Sequence, residues 1–162
     1  MLQSWITQLS AAALLVVCVY ALIAGSWRER FGALIYMAAY ALSLGFGMIS
    51  LSSAAPYIPK YVASNYVAMY MLVTDTLILQ GLCVVAWKSP HAWPKWAILC
   101  QAVTIGLHVA MLLGLGLSNP VYIALLTALG WLGLLALLIG TIAARQARHD
   151  SRRQRAALAA SE

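Results

Sequence analysis

Five apolar runs, each close to the length that crosses a bilayer, leave this chain little freedom in how it folds. They cover about residues 6–24, 31–52, 62–87, 97–117 and 121–144. About 20 helical residues cross a hydrocarbon core about 30 Å thick, and a helix bonds its backbone N–H and C=O groups internally where no water can. Apolar residues fill 64% of the 162 positions and charged residues 9%, too little polar surface to cover a water-soluble domain. The expectation is an all-α polytopic membrane protein: a five-helix transmembrane domain over residues 1–144 and a basic tail over 145–162, helical at its start.

Direction follows from charge. The first run has no Lys or Arg before it and meets Arg28 and Arg30 just after it, the reverse of a secretory signal, so it reads as an uncleaved span with its N-terminus outside. Cytoplasmic segments then hold Arg28, Arg30, Lys88, Lys95, Arg145, Arg148, Arg152, Arg153 and Arg155, nine of the ten basic residues, and Lys60 falls outside. Basic loops are retained on the cytoplasmic side, so the net charge of +6 is explained by topology and not by nucleic acid. In the tail, Arg145, Arg148, Arg152 and Arg155 share one helical face, which suits anionic lipid head groups or an acidic partner subunit.

Pro56 and Pro59, with Tyr57 and Tyr61 beside them, read as an interfacial turn, and Trp5, Trp27, Trp87, Trp93 and Trp96 as a boundary belt. Trp131, deep in the fifth run, is expected to pack on a neighbouring helix. Cys18, Cys83 and Cys100 lie in apolar stretches without metal-ligand spacing and read as small core residues. Gly133, Ala136, Gly140 and Ala144 on the fifth run, and Ala41 and Gly45 on the second, permit close helix approach within the chain or at an oligomer interface.

Asp75 is read as the only acidic residue within a span and His108 as the only histidine. Ionisable groups inside a membrane are costly, which makes them functional candidates. Asp75 precedes Lys88 by 13 residues and His108 follows Lys95 by 13, so an antiparallel hairpin brings them to one depth. Gln101 and Thr104 share a face with His108, and Thr76 and Gln80 lie on a face adjacent to that of Asp75. The pair can act as a proton relay or polar binding site, or as an interhelical clasp. A bis-histidine haem lacks its second intramembrane histidine, and no cofactor or metal is indicated.

The segment Trp87-Lys88-Ser89-Pro90-His91-Ala92-Trp93-Pro94-Lys95-Trp96, together with Asp75, Gln101, His108, Trp131 and Ile139-Gly140-Thr141, resembles small five-span inner-membrane proteins of alphaproteobacteria. The resemblance implies a bacterial inner membrane and carries no activity.

The chain holds no nucleophile beside a base, no metal motif and no phosphate loop, which leans against an enzyme. The leading expectation is an accessory or assembly subunit of a larger inner-membrane complex, with a membrane-protein partner or further copies of itself. The alternatives are a small oligomeric proton- or solute-conducting transporter using Asp75 and His108, and a phage-type holin.

Overall fold

A computed structural model describes residues 2–53, 60–87, 89, 91–115 and 118–161; the side chains of 2–7, 46–53, 60–68 and 119 lie outside that description. The described residues form five helices: α1 (Leu2–Ala24), α2 (Trp27–Ser53), α3 (Lys60–Ala86), α4 (Trp93–Leu112) and α5 (Asn119–Ala159). Among the described residues three stretches are long and apolar enough to cross a membrane: Met69–Ala86, Trp93–Leu112 and Pro120–Ala159. Gln8–Ala24 is a shorter apolar helical stretch. The turn expected at Pro56 and Pro59 lies outside the described residues.

Helix ends differ from the ends of the apolar runs for local reasons. The second helix begins at Trp27, ahead of the apolar run, because Ser26 and Glu29 form the Ser-x-x-Glu pattern of a helix start: the Ser26 backbone N–H donates to Glu29 Oε2 at 2.9 Å. The fourth begins at Trp93 with Pro94 in its first turn, where a missing N–H costs no helical bond. It stops at Leu112 and not at 117, because Gly114 takes a left-handed φ of +67°. There the Gly114 N–H donates to Met111 O and the Leu115 N–H to Ala110 O, the paired bonds that close a helix C-terminus on glycine. The fifth does not end with its apolar run but continues to Ala159, so the basic tail is helical almost throughout.

Each helix packs on the next in chain order and α5 returns to α1, closing a ring, with a further contact between α2 and α5. The dry core occupies one half of this ring. Cys18, Ala21, Ala33, Leu82, Val85, Trp93, Ala97 and Leu137 are buried together, all toward the end where α1 stops, α2 starts and α5 runs on into the tail. Trp93 anchors it. Gly32 and Gly140 leave the indole its slot: a Cβ on Gly140 would stand 2.2 Å from Trp93 Cδ1, and one on Gly32 2.8 Å from Cη2.

Trp93 therefore departs from the expected belt. It is 4% exposed, whereas Trp27, Trp87 and Trp96 are each more than half exposed. Its Nε1–H donates to Glu29 Oε1 at 2.9 Å, and Glu29 is itself fully buried. Glu29 is thus a second acidic residue inside the bundle, beyond the Asp75 that the apolar runs single out. Of the cysteines, Cys18 is core, Cys100 half-buried and Cys83 on the outer surface. Trp131 keeps 38% of its surface exposed, less enclosed than expected.

Candidate functional site

The hollow half of the ring lies toward the α4–α5 turn. A cavity of about 520 Å³ there is lined from all five helices, among them Leu14 of α1, Tyr36 of α2, Asp75 of α3, His108 of α4 and Tyr122 of α5. The remaining lining mixes aliphatic side chains, including Met71, Ile78, Leu126 and Leu129, with Tyr40, Ser43, Cys100, Gln101 and Thr104. Gly133 makes room at one wall: a Cβ there would meet the Tyr36 hydroxyl at 2.8 Å.

Four side chains form a polar line along this cavity. Gln101 Nε2 donates to Asp75 Oδ1 at 2.8 Å, His108 Nε2 lies 2.6 Å from Asp75 Oδ2, and His108 Nδ1 lies 2.5 Å from Tyr122 Oη. The hairpin of α3 and α4 thus sets Asp75 and His108 at one height, as their equal spacing from the loop requires. The rotation of α4 turns Gln101 and His108, seven residues apart, to the same side. Both are buried, at 8% and 2% exposure.

The other expected members are placed differently. Thr104 lines the cavity but its hydroxyl donates to Cys100 O of its own helix at 3.1 Å. Thr76 does the same with Leu72 O at 2.7 Å, the way a lone hydroxyl is satisfied in a helix without water. Gln80 is exposed on the outer face. Tyr122 was not among the expected residues, although the turn encodes it. His108 lies seven residues before Leu115 and Tyr122 seven after it, so an antiparallel return puts them at one depth.

The line has a defined proton logic. With its hydrogen on Nε2, His108 donates to Asp75 and accepts the Tyr122 O–H at Nδ1. A second proton, on Nδ1, makes that nitrogen a donor. Tyr122 Oη then accepts, and its O–H is free to donate into the cavity. Asp75 and His108 are two candidate metal ligands, but among the described residues no group of three His, Cys, Asp or Glu side chains comes together.

No family model, curated protein or solved structure matches the chain. The site therefore rests on its own geometry.

At the tail, Arg148 donates to Ala24 O at the C-terminus of α1, and Arg145 Nη1 reaches Tyr20 Oη at 3.4 Å. Arg152 and Arg155 extend the same face, both exposed.

Proposed function

We propose that the chain is a five-span bacterial inner-membrane protein, N-terminus outside and C-terminus cytoplasmic, that handles a proton or small solute in its interhelical cavity. The ligand that fits is a small, largely apolar molecule with one hydrogen-bonding head, held at Asp75, His108 and Tyr122. One observation carries this reading: the polar line borders a cavity of about 520 Å³, within the several-hundred-Å³ range of small-molecule sites. A pure clasp has no need of that space. Its hydrogen bonds are strongest when packed side chains seal them from competing partners.

The orientation draws support from the nine-to-one division of basic residues, and the bacterial inner membrane from the alphaproteobacterial resemblance. The dry core around Trp93 stands between the cavity and the tail-side end, which favours a pocket open to one side at a time over a continuous pore. The test is reconstitution into vesicles loaded with a pH-sensitive dye. Wild-type protein dissipates an imposed pH gradient, alone or on addition of a solute, and Asp75→Asn lowers the rate to that of empty vesicles. Absence of flux, with Asp75→Asn indistinguishable from wild type, removes the reading.

A second reading, the accessory subunit of a larger complex, is favoured by α5 itself. At 41 residues it is about 60 Å long, roughly twice what the hydrocarbon core needs, and its far part is exposed, as an arm that docks to a partner is in the free chain. Purification in mild detergent from the native host addresses it directly. A monodisperse protein without a stable partner speaks against it.

A further inference from the structure

The basic face of α5 meets the end of α1 in a cleft of about 180 Å³, lined by Ile23, Ala24, Arg145, Arg148, His149 and Arg152. We propose that this cleft is a binding site for the phosphodiester of an anionic lipid head group. It rests on the tail-side end lying at a membrane surface, as in the orientation proposed above, but not on the cavity reading.

Three features specify a phosphodiester. First, three arginines line this one cleft, each with a planar fork of donors suited to phosphate oxygens, and residues 145, 148, 149 and 152 lie on one face of one helix. Second, two of these arginines are already positioned. Arg148 is held by Ala24 O and Arg145 by Tyr20 Oη, so less side-chain freedom is lost when their remaining N–H groups bind an anion. Third, among the described residues no carboxylate lines the cleft: Asp150, the nearest acidic residue in sequence, borders a neighbouring cavity, which shares Arg145 and His149 with the cleft and brings Arg153 beside them.

The walls point to a lipid as the source of the phosphate. Ile23 is 74% exposed at the cleft, and Ile142, one turn before Arg145 and bordering the neighbouring cavity, is exposed as well. An anion seated on the arginines thus has an apolar surface just beneath it, where an acyl chain continues. Arg155 lies one turn past the cleft and is not part of it, so it separates a formed site from the diffuse attraction of a basic tail.

The experiment is native mass spectrometry of the full chain in detergent, titrated with phosphatidylglycerol or phosphatidylcholine. One phosphatidylglycerol is retained in preference to phosphatidylcholine. Arg152→Gln weakens it about fivefold, the effect of one basic group near a lipid surface, while Arg155→Gln leaves it unchanged. Because Arg148 also ties down α1, Arg148→Gln is read only alongside its melting temperature; Arg152, with no bond of its own among the described residues, is the decisive variant. Equal retention of the two lipids, or equal loss in Arg152→Gln and Arg155→Gln, overturns the proposal. Displacement of phosphatidylglycerol by an equal concentration of inorganic phosphate overturns its lipid half. The proton-flux assay does not enter, so either proposal can fail while the other stands.

Discussion

Two carboxyl groups sit inside this bundle, Glu29 fully buried and Asp75 partly exposed to the cavity, each bonded by a different kind of neighbour. Asp75 takes its side-chain bonds from α4, through Gln101 and His108. Glu29 accepts from Ser26 in its own first turn and from Trp93 across the bundle. The consequences of removing one donor differ accordingly. Trp93→Phe keeps most of the ring packing but leaves a fully buried carboxyl oxygen without its partner, and a buried acceptor left unsatisfied costs about 1 to 3 kcal/mol. Tyr122→Phe removes one interhelical bond to an imidazole that still has Asp75, and such bonds average about 0.6 kcal/mol in membranes. Unfolding in a titration with sodium dodecyl sulfate, followed by circular dichroism, should place Trp93→Phe well below Tyr122→Phe in stability. The reverse order would mean that the Glu29 bond is not what holds the tail-side core. Proton flux should rank them oppositely: Tyr122→Phe removes the only hydroxyl bonded to His108 among the described residues, and Trp93→Phe touches none of the relay.

At the level of the helices, hydrophobic run length proved a good guide to how many there are and a poor one to where they end. A run stops at its first charge, whereas a helix stops where its backbone loses partners. That is why Glu29 and Trp93, both placed in loops by run length, fall inside helices. Depth was legible for Asp75 and His108 because loop lengths set it. Rotation was not, because the faces of α3 are nearly equally apolar; so Gln80 and Thr76 could be grouped with Asp75 although neither turns toward the cavity. Gly140 shows how a pattern can be seen while its use is not. Its spacing reads as a helix-packing stripe, and its partner is the indole of Trp93. Gly140→Ala drives a Cβ into that ring, and overpacking of this kind costs about 1 to 3 kcal/mol. Gly106, also mid-helix, has nothing within 4 Å of its would-be Cβ. There Gly106→Ala is expected to be neutral or to stabilise by up to about 1 kcal/mol through helix propensity. Thermal melts of the two variants in detergent should therefore move apart; a parallel loss in both would place the cost in the glycine backbone and not in the Trp93 slot.

Inside the ring the bundle is packed toward the tail and hollow toward the α4–α5 turn, while a second hollow of about 550 Å³ lies between α4 and α5 beside Trp93 and shares Cys100 and Leu129 with the cavity; the asymmetry inside the ring bears on the direction of access. Leu82, Val85, Ala97 and Leu137 fill the tail-side half with side chains at no measurable exposure. The cavity occupies the half bounded by the α4–α5 turn and reaches Ser43 on α2 and Thr104 on α4. If the orientation proposed above holds, water enters from outside and the core around Trp93 closes the cytoplasmic route. A charged methanethiosulfonate reagent reports this, since it modifies a thiol in water far faster than one in lipid or packed core. In a background with Cys18, Cys83 and Cys100 replaced by alanine, Ser43→Cys and Thr104→Cys should react with reagent added outside intact spheroplasts. Val85→Cys should stay unmodified from either side. Modification of Ser43→Cys only in inverted vesicles would reverse the direction of access. Reaction at Val85→Cys as fast as at Ser43→Cys would mean that the core opens readily, and the pocket would then have to be read as one section of a pore.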